Sequence, residues 1–250
     1  MKNKTVFYKG LAVLFALAVW QAVAMLVHSA MLLASPVQVT QRLFTLIIEP
    51  DFFATVLYSF GRIVLGFLAA VLLGILAAVA AGRFRAVEYL LWPFVLTVKS
   101  VPVASFIILF LIWLTFGQLT VFISFLIAFP LIYSNVLQGI KSTDGKLKEL
   151  ADLYRVPWGR RLIYLYIPAV KPFLLSACTV GAGMAWKAGV AAEVIGIVTG
   201  SIGEKLYDAK IYFQNADLLA WTIVIVLLSV LTEKLFLFLL KRFFTGVERI

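Results

Sequence analysis

Three ionisable side chains in long apolar stretches are the first candidates for chemistry in this chain. Lys99 lies between two prolines, and Lys187 follows Trp186, with Glu193 six residues further on. Charged groups inside an apolar layer are costly and tend to face a cavity or a partner. Two interpretations stay open: a structural ion pair, or the polar lining of a pathway that attracts an anionic or zwitterionic solute. Ser100 completes this candidate pathway set.

The composition places these stretches in a membrane. Of the 250 residues, 63% are hydrophobic and 14% are charged, whereas a soluble domain carries about 45–50% apolar and about 25% charged residues. The shortage of charged and polar residues excludes a disordered chain. The single cysteine, Cys178, excludes a disulfide scaffold. We therefore expect one all-α integral membrane domain over residues 1–250.

The intervals between charged side chains predict six membrane-spanning helices, since about 20 apolar residues cross a bilayer. The predicted spans are 10–33, 52–83, a third from residue 88 through the kinking prolines Pro93 and Pro102, then 119–139, 168–198 and 217–240. Gly117-Gln118 is a turn signal that separates the third span from the fourth. The first span exceeds a signal-peptide core and is interpreted as a retained anchor helix, leaving 52–240 as a five-helix core.

The net charge of +10 is explained mostly by topology. In a soluble chain it would suggest nucleic acid, but Lys and Arg concentrate on the cytoplasmic side of membrane proteins. With six spans, 14 of the 22 basic residues share one side: Lys2, Lys4, Lys9, Arg83, Arg85, Lys141, Lys146, Lys148, Arg155, Arg160, Arg161, Lys241, Arg242 and Arg249. We expect both termini and the loop 141–167 in the cytoplasm, and no nucleic-acid partner.

Small residues recur every four positions in the second span, at Gly66, Ala70, Gly74, Ala78 and Gly82. Such a stripe lets another helix backbone approach closely, so it predicts helix packing. The fifth span is also rich in Gly and Ala. That composition suits either close packing or an unwound helix that lines a transport pathway, and both interpretations stay open.

The polar loop 141–167 predicts a short amphipathic helix. Asp144 is positioned to cap it, Leu147, Leu150 and Tyr154 share one face, and Pro157 is expected to stop it. This pattern is typical of a docking element, although a helix lying on the lipid surface would have the same periodicity.

The spacing within this loop resembles the cytoplasmic "EAA" loop of type I ABC importer permeases, whose pattern is E-A-A, three residues, G, nine residues, I-x-L-P. Glu149 and Ala151 match its start, and Ile167-Pro168 match its end. Arg155 stands where the family has glycine.

The remainder of the chain supports the same resemblance. Gly159 follows Arg155 by four residues and is expected to be able to take over the turn. Six spans, a polar segment after the first, and the stretch from Trp186 to Glu193 are similar to the nitrate, sulfonate and taurine branch of these permeases.

The resemblance implies a fold, a location and partners. It implies a type I permease fold in the bacterial plasma membrane, with the loop as a coupling helix between spans four and five. Glu149, Ala151, Arg155, Pro157 and Gly159 would contact a separate ATPase subunit. A homodimer with two such ATPases and an extracytoplasmic solute-binding protein would import a small anionic or zwitterionic solute. Relatives of this branch also carry vitamin precursors, which stay open as an alternative.

The chain lacks the residues for chemistry of its own. The stretch from Gly139 to Leu147 approaches a phosphate-binding loop, but Leu147 stands where Ser or Thr should ligate Mg²⁺. One histidine, His28, and one cysteine cannot build a conventional metal site. We expect no catalytic residue and no cofactor here, with ATP and Mg²⁺ on the ATPase. An ion-coupled secondary transporter and a non-transporting membrane scaffold or intramembrane enzyme are the alternatives.

Overall fold

The computed structural model describes residues 2–27, 29 and 32–247, and every regular element among them is a helix. His28 and Arg249 lie outside the described residues. The elements in chain order are α1 (Lys2–Val27), α2 (Pro36–Ile48), α3 (Phe52–Arg83), α4 (Arg85–Ser100), α5 (Val103–Phe110), α6 (Phe116–Lys141), α7 (Gly145–Leu153), α8 (Trp158–Arg161), a π-helix (Leu162–Tyr166), α9 (Ile167–Gly196), α10 (Ile202–Ile211) and α11 (Asn215–Val247).

Five helical segments in the described part of the chain are long and apolar enough to cross a membrane. They are Gly10–Val27, Phe52–Arg83, Phe116–Lys141, Trp158–Gly196 and Asn215–Gly246. Helices α4 and α5 reach the same criterion only together, and they are bent by 105°. The all-helical membrane architecture predicted from the sequence is therefore confirmed, with five spans or six if the bent pair is one span.

The predicted third span is broken rather than kinked. Pro93 is one of the two prolines predicted to kink this span, and α4 continues through it without a break. The helix ends at Ser100, and Val101 has an extended backbone with φ −84° and ψ 134°. A proline disfavours the helical conformation in the residue before it, which is why the break falls before Pro102. The next break covers 111–115, so Gly117 lies in the first turn of α6 rather than in the turn predicted at Gly117-Gln118.

Two helices, α2 and α10, were not predicted. Helix α2 begins with a reciprocal cap between Ser35 and Gln38, and its buried residues Val39 and Leu46 join a cluster with Trp221 of α11. Helix α10 is capped by Ser201, whose hydroxyl accepts the backbone N–H of Glu204. Both helices are too short to span a bilayer, so the length of apolar stretches, which predicted the spans, did not predict them.

The core is formed by α6, which packs between α3 and α9. The residue numbers of the contacts between α3 and α6 increase together along both helices: Gly66 meets Ser124, Gly74 meets Ile132 and Gly82 meets Ile140. Helices α3 and α6 therefore run parallel. Helix α9 runs antiparallel to α6. Gly139 near the end of α6 meets Val170 near the start of α9, while Gly196 at the end of α9 meets Leu119 near the start of α6.

Close approach is possible because these positions lack a side chain. A Cβ atom on Gly74 would come within 2.9 Å of Ile132 Cγ2, and one on Gly82 within 3.0 Å of the same atom of Ile140. Ala70 and Ala78 are fully buried in the same core. Small residues thus set the separation between the two backbones.

Candidate functional site

The loop helix α7 presents an apolar face that the rest of the described chain leaves uncovered. The side chain of Asp144 accepts the backbone N–H of Lys146 at 2.9 Å and caps the helix, as the sequence predicts. Leu147 and Leu150 are about half exposed, and Tyr154 is 74% exposed. None of the residues of α7 is buried. Glu149 is also exposed on this helix.

Helix α7 ends in a Schellman motif. The carbonyl of Ala151 accepts the N–H of Val156 at 2.9 Å, and the carbonyl of Asp152 accepts the N–H of Arg155 at 3.0 Å. Arg155 adopts the left-handed conformation with φ 50°. Glycine is the usual residue at this position of the motif, because it has no Cβ to clash. The glycine of the family pattern therefore has a structural reason, and Arg155 adopts that conformation despite its side chain.

Gly159 does not take over this turn, and that expectation is wrong. Gly159 lies within α8 and has helical geometry. The turn occurs at Arg155 itself because the Schellman hydrogen bonds of α7 close there. Pro157 likewise does not stop α7, which ends at Leu153; it lies at the N-cap of α8, where a missing N–H costs nothing.

Arg161 ties this turn together. Its Nε donates to the carbonyl of Val156 at 2.7 Å, one terminal nitrogen donates to the carbonyl of Ala151 at 2.8 Å, and the other forms an ion pair with Asp152. Hydrogen bonds from a charged donor are stronger than neutral ones. The sequence analysis counted Arg161 only as a cytoplasmic charge, because its partners are backbone carbonyls and a carboxylate of a turn that carries no glycine signal.

A π-helix connects this turn to the long helix α9. Residues 162–166 form it, and Ile167 and Pro168 then begin α9. The rings of Trp158, the first residue of α8, and Tyr166, the last residue of the π-helix, lie 5.6 Å apart. Isolated π-helical turns inside longer helices are frequently functional. The loop residues that resemble the family pattern therefore form one continuous structure leading into α9.

The two lysines lie on the surface of the single chain, so the expectation that they are buried is wrong. Lys99 Nζ donates to Ser134 Oγ of α6 at 2.8 Å, and neighbouring Ser100 is exposed. Lys187 is exposed on α9 between two buried residues. Lys99 lies at Ser134, and the antiparallel register of α6 and α9 puts Ser134 opposite residue 178 of α9. Lys187 is nine residues further along α9, so the two lysines are about 13 Å apart along the helix axis. The structure does not bring them together within one chain.

Glu193 and Trp186 are interior residues. Glu193 is fully buried, and its Oε2 accepts the hydroxyl of Ser59 at 2.9 Å and the N–H of Gly203 at 3.2 Å. Trp186 Nε1 donates to Thr232 Oγ1 of α11 at 3.1 Å. Among the ion pairs of the described residues, none joins Glu193 to Lys99 or Lys187, which corrects the ion-pair interpretation. Glu193 instead joins α9 to α3 and α10.

Several polar residues near the lysines were missed. Ser134, Asn135 and Gln138 lie on one partly exposed face of α6, and Ser176 and Thr179 on the exposed face of α9. The side chains of Asn135 and Thr179 donate to carbonyls four residues earlier in their own helices, at 2.8 and 3.0 Å. Their helical spacing within otherwise apolar spans is the signal that would have identified them.

Comparison with known proteins identifies the family. The family model of the binding-protein-dependent transport system inner membrane component matches residues 70–247. The chain belongs to this family. It is a permease, a multi-pass component of the inner membrane, and not itself an enzyme.

Named relatives point to the same role. The chain is 30% identical to the aliphatic sulfonates transport permease protein SsuC of Bacillus subtilis over 228 residues, 90% of this chain and 82% of the relative. It is 30% identical to the taurine transport system permease protein TauC of Escherichia coli over 224 residues, covering 87% and 81% of the two chains. The nitrate import permease protein NrtB of Synechococcus elongatus is 25% identical over 204 residues, covering 77% and 72%. The chain is accordingly the membrane permease of an ABC importer.

Proposed function

We propose that the permease crosses the membrane six times, with α4 and α5 forming one broken span. Both termini and the loop 141–167 are then cytoplasmic. The distribution of basic residues supports this orientation, since Lys and Arg are enriched on the cytoplasmic side of spanning helices. The five spans within 52–240 form the core unit, and the span beginning at Gly10 is the N-terminal anchor.

Helix α7 docks into a separate ATPase subunit, which carries ATP and Mg²⁺. The observation that supports this proposal most strongly is the exposed apolar face of α7, with Leu150 47% exposed and Tyr154 74% exposed. An apolar face that the chain does not cover is typical of a protein interface. Because Arg161 ties α7 to α8, a movement of the ATPase would be transmitted through the π-helix into α9.

Two substitutions test the docking. Glu149 is exposed on α7, and a Cβ atom at Gly159 meets no atom within 4 Å among the described residues. The double change Glu149→Ala and Gly159→Leu should leave insertion intact and uncouple ATP hydrolysis from uptake in reconstituted vesicles. Gly10→Leu, at an equally open position of α1, is the matched control and should leave coupling unchanged. Coupled uptake by the double variant at the control's rate would refute the docking.

Two copies of the permease form the transport pathway. Polar side chains facing lipid are costly, so the polar faces of α6 and α9, which carry the exposed residues Gln138 and Ser176, require cover. A second copy related by a two-fold axis supplies it, because the same surface then meets itself. Alternating access between the two copies moves the solute.

The solute is a small anion or zwitterion delivered by an extracytoplasmic binding protein. Lys99 and Lys187 are cations on spanning helices beside these polar faces, and the named relatives transport sulfonates, taurine and nitrate. Lys187→Gln should raise the KM for the anion about tenfold, the loss of about 1.4 kcal/mol, while Lys187→Arg retains it. Lys234→Gln, an exposed lysine on α11, is the control. An unchanged KM in Lys187→Gln, or uptake that collapses with an uncoupler although ATP persists, would contradict this proposal.

A further inference from the structure

A groove of about 990 Å³ opens between the ends of the spanning helices and the segment that follows α7. Helix α3 contributes Leu76 and Val79, α6 contributes Ile140, and α11 contributes Phe243. The opposite wall comes from the segment 158–167, including Trp158 and Leu162. The walls are apolar along most of their length, and the groove is large enough for an extended organic ligand, since such pockets measure about 300–1,000 Å³.

Charged side chains also line this groove. Arg83, the last residue of α3, lines it directly, and so do Arg161 and its ion-pair partner Asp152. The ammonium of Lys171 lies 5.8 Å from the ring centre of Phe244, which also lines the groove. Because Asp152 is neutralised by Arg161, the remaining charge of the lining is positive.

We propose that the groove binds an acyl chain of an anionic phospholipid, with the lipid phosphate at Arg83. Arg83 is the last residue of α3, a helix long and apolar enough to cross the membrane, and the topology proposed above puts this end of α3 at the cytoplasmic surface of the bilayer. A ligand at that depth must be apolar along its length and anionic at one end to match the walls and the guanidinium. An anionic phospholipid has this chemistry and is part of the bilayer. Basic pockets between spanning helices bind such headgroups in other membrane proteins.

The position of the groove gives the lipid a structural role. One wall belongs to the helix bundle, and the other belongs to the segment 158–167 that joins the loop helix to α9. A bound chain therefore contacts both and fills the space between them. If α7 docks as proposed, the lipid would lie in the contact between the segment 158–167 and the helices α3, α6 and α11. This inference goes beyond the transport function and does not depend on the transported solute.

Tryptophan quenching tests the proposal on the purified permease. Trp158 lines the groove and is 60% exposed, so bromine atoms on a chain in the groove will quench its fluorescence. The permease is titrated with phosphatidylglycerol or phosphatidylcholine that carries brominated chains, and Trp158→Phe isolates the contribution of this one residue. We expect the Trp158 signal to be quenched at a mole fraction of phosphatidylglycerol about tenfold lower than that of phosphatidylcholine.

The headgroup site is tested with matched arginine variants. Arg83→Gln should abolish the preference for phosphatidylglycerol and Arg83→Lys should retain most of it. Arg85→Gln removes a neighbouring exposed charge that does not line the groove, and should leave the preference unchanged. Equal quenching by both lipids, or an undiminished preference in Arg83→Gln, would overturn the anionic site. Absence of quenching by either lipid would overturn the whole proposal, because no acyl chain would then reach Trp158 in the groove.

Discussion

Arg161 donates a hydrogen bond to the backbone carbonyl of Ala151 over 2.8 Å, and that same carbonyl closes the Schellman motif of α7 by accepting from Val156. One oxygen thus joins the end of the loop helix to the beginning of the path into α9. The turn between α7 and α8 is held by the backbone and by a charged side chain together. These hydrogen bonds favour one fixed orientation of α7 relative to α8.

Removing the Arg161 side chain should loosen the turn without unfolding the bundle. Hydrogen bonds to charged groups contribute about 1.5–3 kcal/mol each, so Arg161→Ala should raise hydrogen exchange at the Val156 amide at least tenfold. Coupling of ATP hydrolysis to uptake should fall in parallel. Arg160→Ala, at the exposed neighbouring position, is the control. Unchanged exchange at Val156 would mean that the backbone alone holds the turn.

Glycine at position 155 should stabilise the same turn. A left-handed conformation costs a non-glycine residue about 1–2 kcal/mol, partly offset by the greater freedom of glycine in the unfolded chain. Arg155→Gly should therefore slow exchange at the Arg155 and Val156 amide positions by a few-fold relative to Arg155→Ala, which lacks the charge but keeps the Cβ. Equal exchange in the two variants would contradict the assignment of strain to this residue.

Ser59 and Glu193 form a buried link whose loss should destabilise the fold. The Ser59 hydroxyl donates to Glu193 and accepts the N–H of Ile202 at 2.9 Å. Ser59→Ala leaves the N–H of Ile202 unsatisfied in the interior and removes one of the two hydrogen bonds to Glu193 Oε2, at a cost of about 1–3 kcal/mol. A lower unfolding midpoint in detergent measures it, and Ser176→Ala, an exposed serine of α9, is the control. If Ser59→Ala changes the solute preference and leaves the unfolding midpoint unchanged, Glu193 acts in the transport pathway and not in stabilising the fold.

The sequence predicted the features that depend on local pattern. Apolar length identified the spans, and the spacing after Asp144 identified α7, because both are properties of neighbouring residues. The role of Glu193 could not be predicted, since its partner Ser59 is 134 residues away in the chain. The left-handed conformation of three residues was not predicted for another reason; these are Arg155, Ile197 and Phe213. Each closes a Schellman motif without glycine, so the usual residue signal for that turn is absent.

The packing stripe of α3 allows a test within a single helix. A Cβ atom on Gly66 would lie 2.4 Å from the carbonyl oxygen of Val121, whereas one on Gly61 meets nothing within 4 Å among the described residues. Gly66→Ala must push α6 away and should lower the free energy of unfolding by about 1–3 kcal/mol. Gly61→Ala should leave it unchanged or raise it by up to about 1 kcal/mol, because alanine favours the helix. Unfolding midpoints of the two variants in one detergent give the comparison. If both variants shift the midpoint equally, α3 and α6 do not approach as closely as the glycines require.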